Sequence, residues 1–73
     1  MDYETFQREN KKIEEAPAGQ KKAFYQKLLE EEPAPSKVRL MAYFQLALLY
    51  YQEGDFHKVL EVLEPLMLNH MSY

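Results

Sequence analysis

Residues 43–66 read YFQLALLYYQEGDFHKVLEVLEPL, two apolar helical patterns broken by Gly54-Asp55. Small Ala47 sits in the first pattern, where a partner helix has to come close. This is the layout of an antiparallel helix pair joined by a tight turn. Glycine supplies the left-handed residue that closes one helix, and Asp55 caps the next. A unit of this kind works by contact rather than by catalysis.

The first helix of the pair takes Ser36 as its N-cap and is expected over residues 37–53. Val38, Leu40, Met41, Tyr43, Phe44, Leu46, Ala47, Leu48, Leu49, Tyr50 and Tyr51 put apolar side chains on nearly every side of it. A helix apolar all round is buried on several faces, yet a chain of 73 residues has few elements to bury it with. The second helix runs from Phe56 toward His70. Phe56, Val59, Leu63 and Leu66 line one face, with Leu60 and Val62 widening it. Pro65 removes the hydrogen bond back to Glu61 and predicts a kink, or an end near Glu64. Residues 69–73 are expected to fray.

Upstream, two weaker helical patterns precede the pair. One is expected over residues 3–16, with Asp2 as its N-cap and a thin stripe of Tyr3, Phe6 and Ile13. Pro17 ends it. The next is expected over residues 20–32. Phe24 and Leu28, and Tyr25 and Leu29, stand four apart and give it a wide apolar face. Lys21-Lys22 at its start and Glu30-Glu31-Glu32 at its end oppose the helix dipole, so packing has to hold it. Pro33-Ala34-Pro35 stops it.

The stretch 43–66 resembles the helix-turn-helix unit of the tetratricopeptide repeat (TPR) family. Tyr43, Leu46, Ala47 and Tyr50 match the large–large–small–aromatic pattern of the family's first helix, and Gly54-Asp55-Phe56 matches its turn. Val59, Leu63 and Leu66 fall on second-helix positions and match in apolar character alone. The resemblance implies an all-α fold of stacked helix pairs of about 34 residues each. The chain then holds one good repeat and, at residues 3–32, one degenerate pair in which Tyr25 and Leu29 align with Val59 and Leu63. Repeat arrays normally have three or more units with polar ends. Either the chain is a piece of a longer repeat protein, or two chains supply each other's missing neighbour. Self-association is the expectation.

Composition narrows the function. The chain makes one small domain, and at this size its stability is marginal without disulfides, metal or association. There is no cysteine, which removes disulfides and thiolate metal sites and fits a reducing, cytoplasmic compartment. Nine basic against 12 acidic residues give a net charge of −3. The basic residues stand beside glutamates, so no basic stripe for nucleic acid forms. No targeting segment is seen at the N-terminus. The longest apolar stretch, residues 46–51, is far short of the ~20 needed to span a bilayer.

The inner surface of TPR proteins comes mainly from the first helix of each unit. Carried over by position, that face is Met41, Phe44, Leu48 and Tyr51. It is either an apolar groove for a helix or extended segment of a partner, or a face filled permanently by the N-terminal helices or a second subunit. Chaperone-binding members of the family hold a peptide carboxylate with Lys, Arg and Asn here. Phe44 and Leu48 occupy the matching places, so that clamp is not expected. His57, Glu61 and Glu64 share a face of the last helix and read as a solvated polar face rather than a zinc site. The two glycines sit in turns and the two serines form no nucleophile constellation.

The expectation is an all-α domain of about four helices, residues 3–32 and 36–68 forming two antiparallel pairs. It is non-enzymatic, takes no cofactor or metal, and binds a protein or peptide partner. Its repeat core is Tyr43, Leu46, Ala47, Tyr50, Gly54, Phe56, Val59, Leu63 and Leu66. Two further functions stay open: an obligate homodimer whose apolar helix is consumed by its own interface, or the helical part of a peptide-responsive regulator.

Overall fold

The computed structural model describes residues 1–33 and 36–71, with side chains to Leu68. The fold is all-α. Four helices follow one another: α1 (Tyr3–Lys12), α2 (Ala18–Glu31), α3 (Lys37–Gln52) and α4 (Phe56–Met71). The middle helix α3 packs against α2 on one side and α4 on the other, and also touches α1.

Local chemistry sets the boundaries. Asp2 Oδ1 accepts the Thr5 N–H at 2.8 Å and opens α1. That helix stops at Lys12, short of the expected residue 16. Lys11 and Lys12 suit the negative end of the helix dipole, whereas Glu14 and Glu15 would oppose it. α2 begins at Ala18, two residues before the expected start, because the Pro17 carbonyl accepts from both Gln20 and Lys21 at 3.0 and 3.1 Å. Ser36 Oγ accepts the Arg39 N–H at 3.2 Å and caps α3.

The turn between α3 and α4 follows the expected chemistry closely. Gly54 has φ +78, the left-handed region. Its N–H bonds the Tyr51 carbonyl at 3.0 Å, and the Asp55 N–H bonds the Tyr50 carbonyl at 2.9 Å. These two bonds form a Schellman closure of α3. Asp55 Oδ1 then accepts the Lys58 N–H at 3.3 Å and caps α4. Pro65 does not end the last helix near Glu64: α4 continues through it to Met71, with Pro65 on the exposed side. Helical backbone therefore covers residues 69–71, where fraying was expected. Residues 34, 35, 72 and 73, on which parts of the α2 end and the expected tail fall, lie outside the described residues.

The core is built by the first three helices. Phe6 of α1, Tyr25 and Leu28 of α2, and Val38, Ala42, Leu46 and Leu49 of α3 form one buried cluster. Phe6 and Phe24 stack at 6.4 Å between ring centroids, and the Tyr25 hydroxyl donates to Asn10 Oδ1, tying α2 to α1. Lys22 bonds Glu53 at 2.5 Å, its ammonium 4.7 Å from the Tyr50 ring centroid, which fastens α2 to the far end of α3. Among the described residues α4 contributes no buried side chain, and its half-buried Val62 packs against the cluster.

Candidate interaction surface

The four helices cover the two sides of α3 unequally. Tyr43, Leu46 and Ala47 are buried, as a repeat core requires, and Tyr50, Val59, Leu63 and Leu66 are half-buried. Phe56 departs from the expected core. It is 59% exposed and lies edge-on to Tyr51, ring centroids 5.5 Å apart. Its position in the first turn of α4 places it beyond the reach of α2, so it packs on the turn instead of the interior.

An apolar groove of about 430 Å³ runs between α3 and α4, lined by Leu40, Phe44, Leu63, Leu66 and Met67. Two rows of side chains flank and extend it: Leu40, Phe44, Ala47 and Tyr51 on α3, and Phe56, Leu60, Leu63 and Met67 on α4. Both follow the same i, i+4, i+7, i+11 spacing, which keeps each row on one helical face. Ala47 is buried within its row while Phe44 and Tyr51 on either side are exposed. The small side chain there lets α4 lie close to α3.

The four expected partner-binding residues do not share one surface. Phe44 lines the groove. Tyr51 is exposed at the turn end of the same row. Met41 is half-buried and packs against the core cluster. Leu48 faces away, into a second and more polar cavity of about 660 Å³ between α1, α2 and α3. Gln7, Asn10, Gln45 and Gln52 supply carboxamides to that cavity, and Lys11, Lys21 and Glu14 supply charge. Leu40, Leu60 and Met67, all exposed, complete the groove face and were not among the expected site residues. For Leu60 and Met67 the signal in the sequence was their i, i+4, i+7, i+11 spacing with Phe56 and Leu63; for Leu40 the all-round apolar pattern of α3 gave none.

The groove lining carries no charge. Charges gather on the outer side of α4, where one Glu61 carboxylate oxygen lies 3.3 Å from His57 Nε2 and the other 3.2 Å from Lys58 Nζ. The bond to Glu61 holds the Lys58 ammonium above its ordinary value. Lys58 thus offsets the charge of this carboxylate locally. Among the described residues no polar or charged side chain is buried, and no helix is long and apolar enough to cross a membrane.

Compared with protein-family models, with curated proteins and with solved structures, the chain finds no match.

Proposed function

We propose that this chain is a non-enzymatic protein–protein interaction module that receives an apolar segment of a partner on the α3/α4 face. One observation carries the reading. Six large apolar side chains on one face of α3 and α4, Leu40, Phe44, Tyr51, Phe56, Leu60 and Met67, are 40–60% exposed. Exposed apolar side chains scattered singly need no explanation, but a contiguous patch of this extent marks an interaction site. The uncharged groove accepts an apolar ridge, and a helix with side chains at i, i+4 and i+7 has the matching periodicity. The likeness of residues 43–66 to a TPR unit supports the same reading, since such units bury their faces against neighbours. The cysteine-free composition favours a reducing, cytoplasmic setting.

The test is photo-crosslinking in cells with benzoylphenylalanine in place of Phe44, and with the same group at Arg8 on exposed α1 as a control. Crosslinks to a polypeptide from position 44 that disappear with Leu60→Glu are expected. Equal labelling from both positions, or none from either, would remove the reading.

A second reading, the helical part of a peptide-responsive regulator, is favoured by the polar cavity. Its four carboxamides both donate and accept, as the backbone of an extended peptide demands. Leu48→Glu would impair such binding, whereas Phe44→Glu would not.

A further inference from the structure

We infer that the occupant of the α3/α4 face is a second copy of this chain, the two helix pairs packing face to face as a two-layer bundle of four helices. This rests on the reading of that face as an interaction surface, and names what covers it.

Extent is the first argument. Leu40, Phe44, Tyr51, Phe56, Leu60 and Met67 are each at least 40% exposed. Taking ~200 Å² for a fully exposed side chain of this size, they and the half-buried Leu63 and Leu66 offer on the order of 700 Å² per chain. A stable interface takes about 800 Å² from each partner, whereas the largest patch on an ordinary monomer is about 300–600 Å². The face thus has the size of one half of an interface.

Shape is the second. The rows on α3 and α4 have the same spacing and run antiparallel, each about 17 Å long at the helical rise of about 1.5 Å per residue. A surface made of two equal antiparallel ridges with a groove between them is complementary to itself. A two-fold axis lying in the plane of contact sets ridge against groove in both directions, as an isologous interface requires. Helix crossings of about 20° then allow knobs such as Phe44 and Leu60 to enter the facing grooves.

Charge is the third. A foreign partner is ordinarily selected by paired charges at the contact, and none lines this groove. Bringing two such faces together buries no ion, so no desolvation penalty of that kind opposes the contact. The net charge of −3 on each chain opposes association only weakly and through solvent at the rim.

Support for α4 is the fourth. This helix packs only on α3, and none of its described side chains is buried. A second α3/α4 pair would cover the exposed side chains of Leu60 and Met67 and give α4 a second neighbour. In a chain this small, association is one of the few remaining sources of stability.

Sedimentation equilibrium of the full chain, from sub-micromolar to several hundred micromolar, tests the inference together with circular dichroism on the same samples. Twice the chain mass is expected at high concentration. Phe44→Glu and Leu60→Glu, each at an exposed position, should weaken association about a hundred-fold, since each would bury an unpaired carboxylate. Leu48→Glu, on the other side of α3, should leave the dimer intact. If Phe44→Glu loses helicity, Leu60→Glu alone decides. A chain mass at every concentration overturns the second copy. If position 44 still crosslinks to another polypeptide in cells, the interaction surface survives that result; if it does not, both fall. A dimer indifferent to both glutamate variants places the contact elsewhere and also overturns the inference.

Discussion

The guanidinium of Arg39 donates to the carbonyl oxygen of Glu32 at 3.2 Å, so that a side chain of α3 closes the C-terminal end of α2. The same group donates to the Leu29 carbonyl and, at 3.2 Å, to the Tyr43 hydroxyl, with its centre 5.5 Å from the Tyr43 ring centroid. The last carbonyls of a helix lack partners within it. α2 has no basic residue in its last turn to meet them. Arg39 supplies from outside what the helix lacks, and a cation there also suits the dipole.

Arg39→Ala should therefore cost about 2 kcal/mol, the range for hydrogen bonds from a charged donor. Arg39→Lys should recover less than half of this, because an ammonium cannot span two carbonyls and a ring together. Urea unfolding followed by circular dichroism checks both.

Gly54→Ala should cost about 1 kcal/mol. Apart from residue 54 and its two chain neighbours, no atom lies within 4 Å of the added methyl carbon, so the loss comes from the backbone at φ +78 rather than from a clash. Gly54→Asn should lose less, since asparagine enters the left-handed region more readily. Thermal melts of the two variants separate these effects.

Pro65→Ala should stabilise the chain, by about 2 kcal/mol. It restores a backbone donor inside a continuous helix and removes the ring from the preceding turn. A lower denaturation midpoint than the parent would show that the proline is needed where it stands.

Ala47→Leu should destabilise by about 2 kcal/mol, because extra methylenes at a buried site on the α3/α4 approach force the helices apart. The same change at Ala42, which has no exposed surface, should be worse. Chemical denaturation ranks the two.

Burial holds the Tyr25 hydroxyl above its ordinary value of 10.0. The neutral form is favoured by the fold, so the stability linked to this group is fully present below pH 10.0 and is lost as pH rises through the folded-state value. Tyr25→Phe should lose the bond to Asn10 at neutral pH and flatten the alkaline decline. The difference between parent and variant stability, measured across that range, isolates the effect from other titrating groups.

What could be read from the sequence was what is local. Ser36, Gly54 and Asp55 act on backbone groups within a few residues, so the α3–turn–α4 hairpin was legible residue by residue. The exposed side of α3 was not. Its apolar residues go nearly all round, so its pattern carries no phase, and only the positions of α2 and α4 decide that Leu40 and Phe44 share a groove while Leu48 turns to the polar cavity. Pro65 reads as a break in isolation. Its ring, however, points to solvent, where it disturbs no packing, and α4 runs on. Arg39 reads as one more solvated charge, because its carbonyl partners come from a different helix.

α4 leans on a single neighbour while the buried cluster is assembled by α1, α2 and α3, and this grades the molecule's resistance to opening. Amide exchange should be faster in α4 than around Ala42 and Leu46, since local opening there must disrupt the cluster itself. Covering its exposed side should therefore slow both amide exchange and proteolytic cleavage in α4, which ties the persistence of the fold to its association.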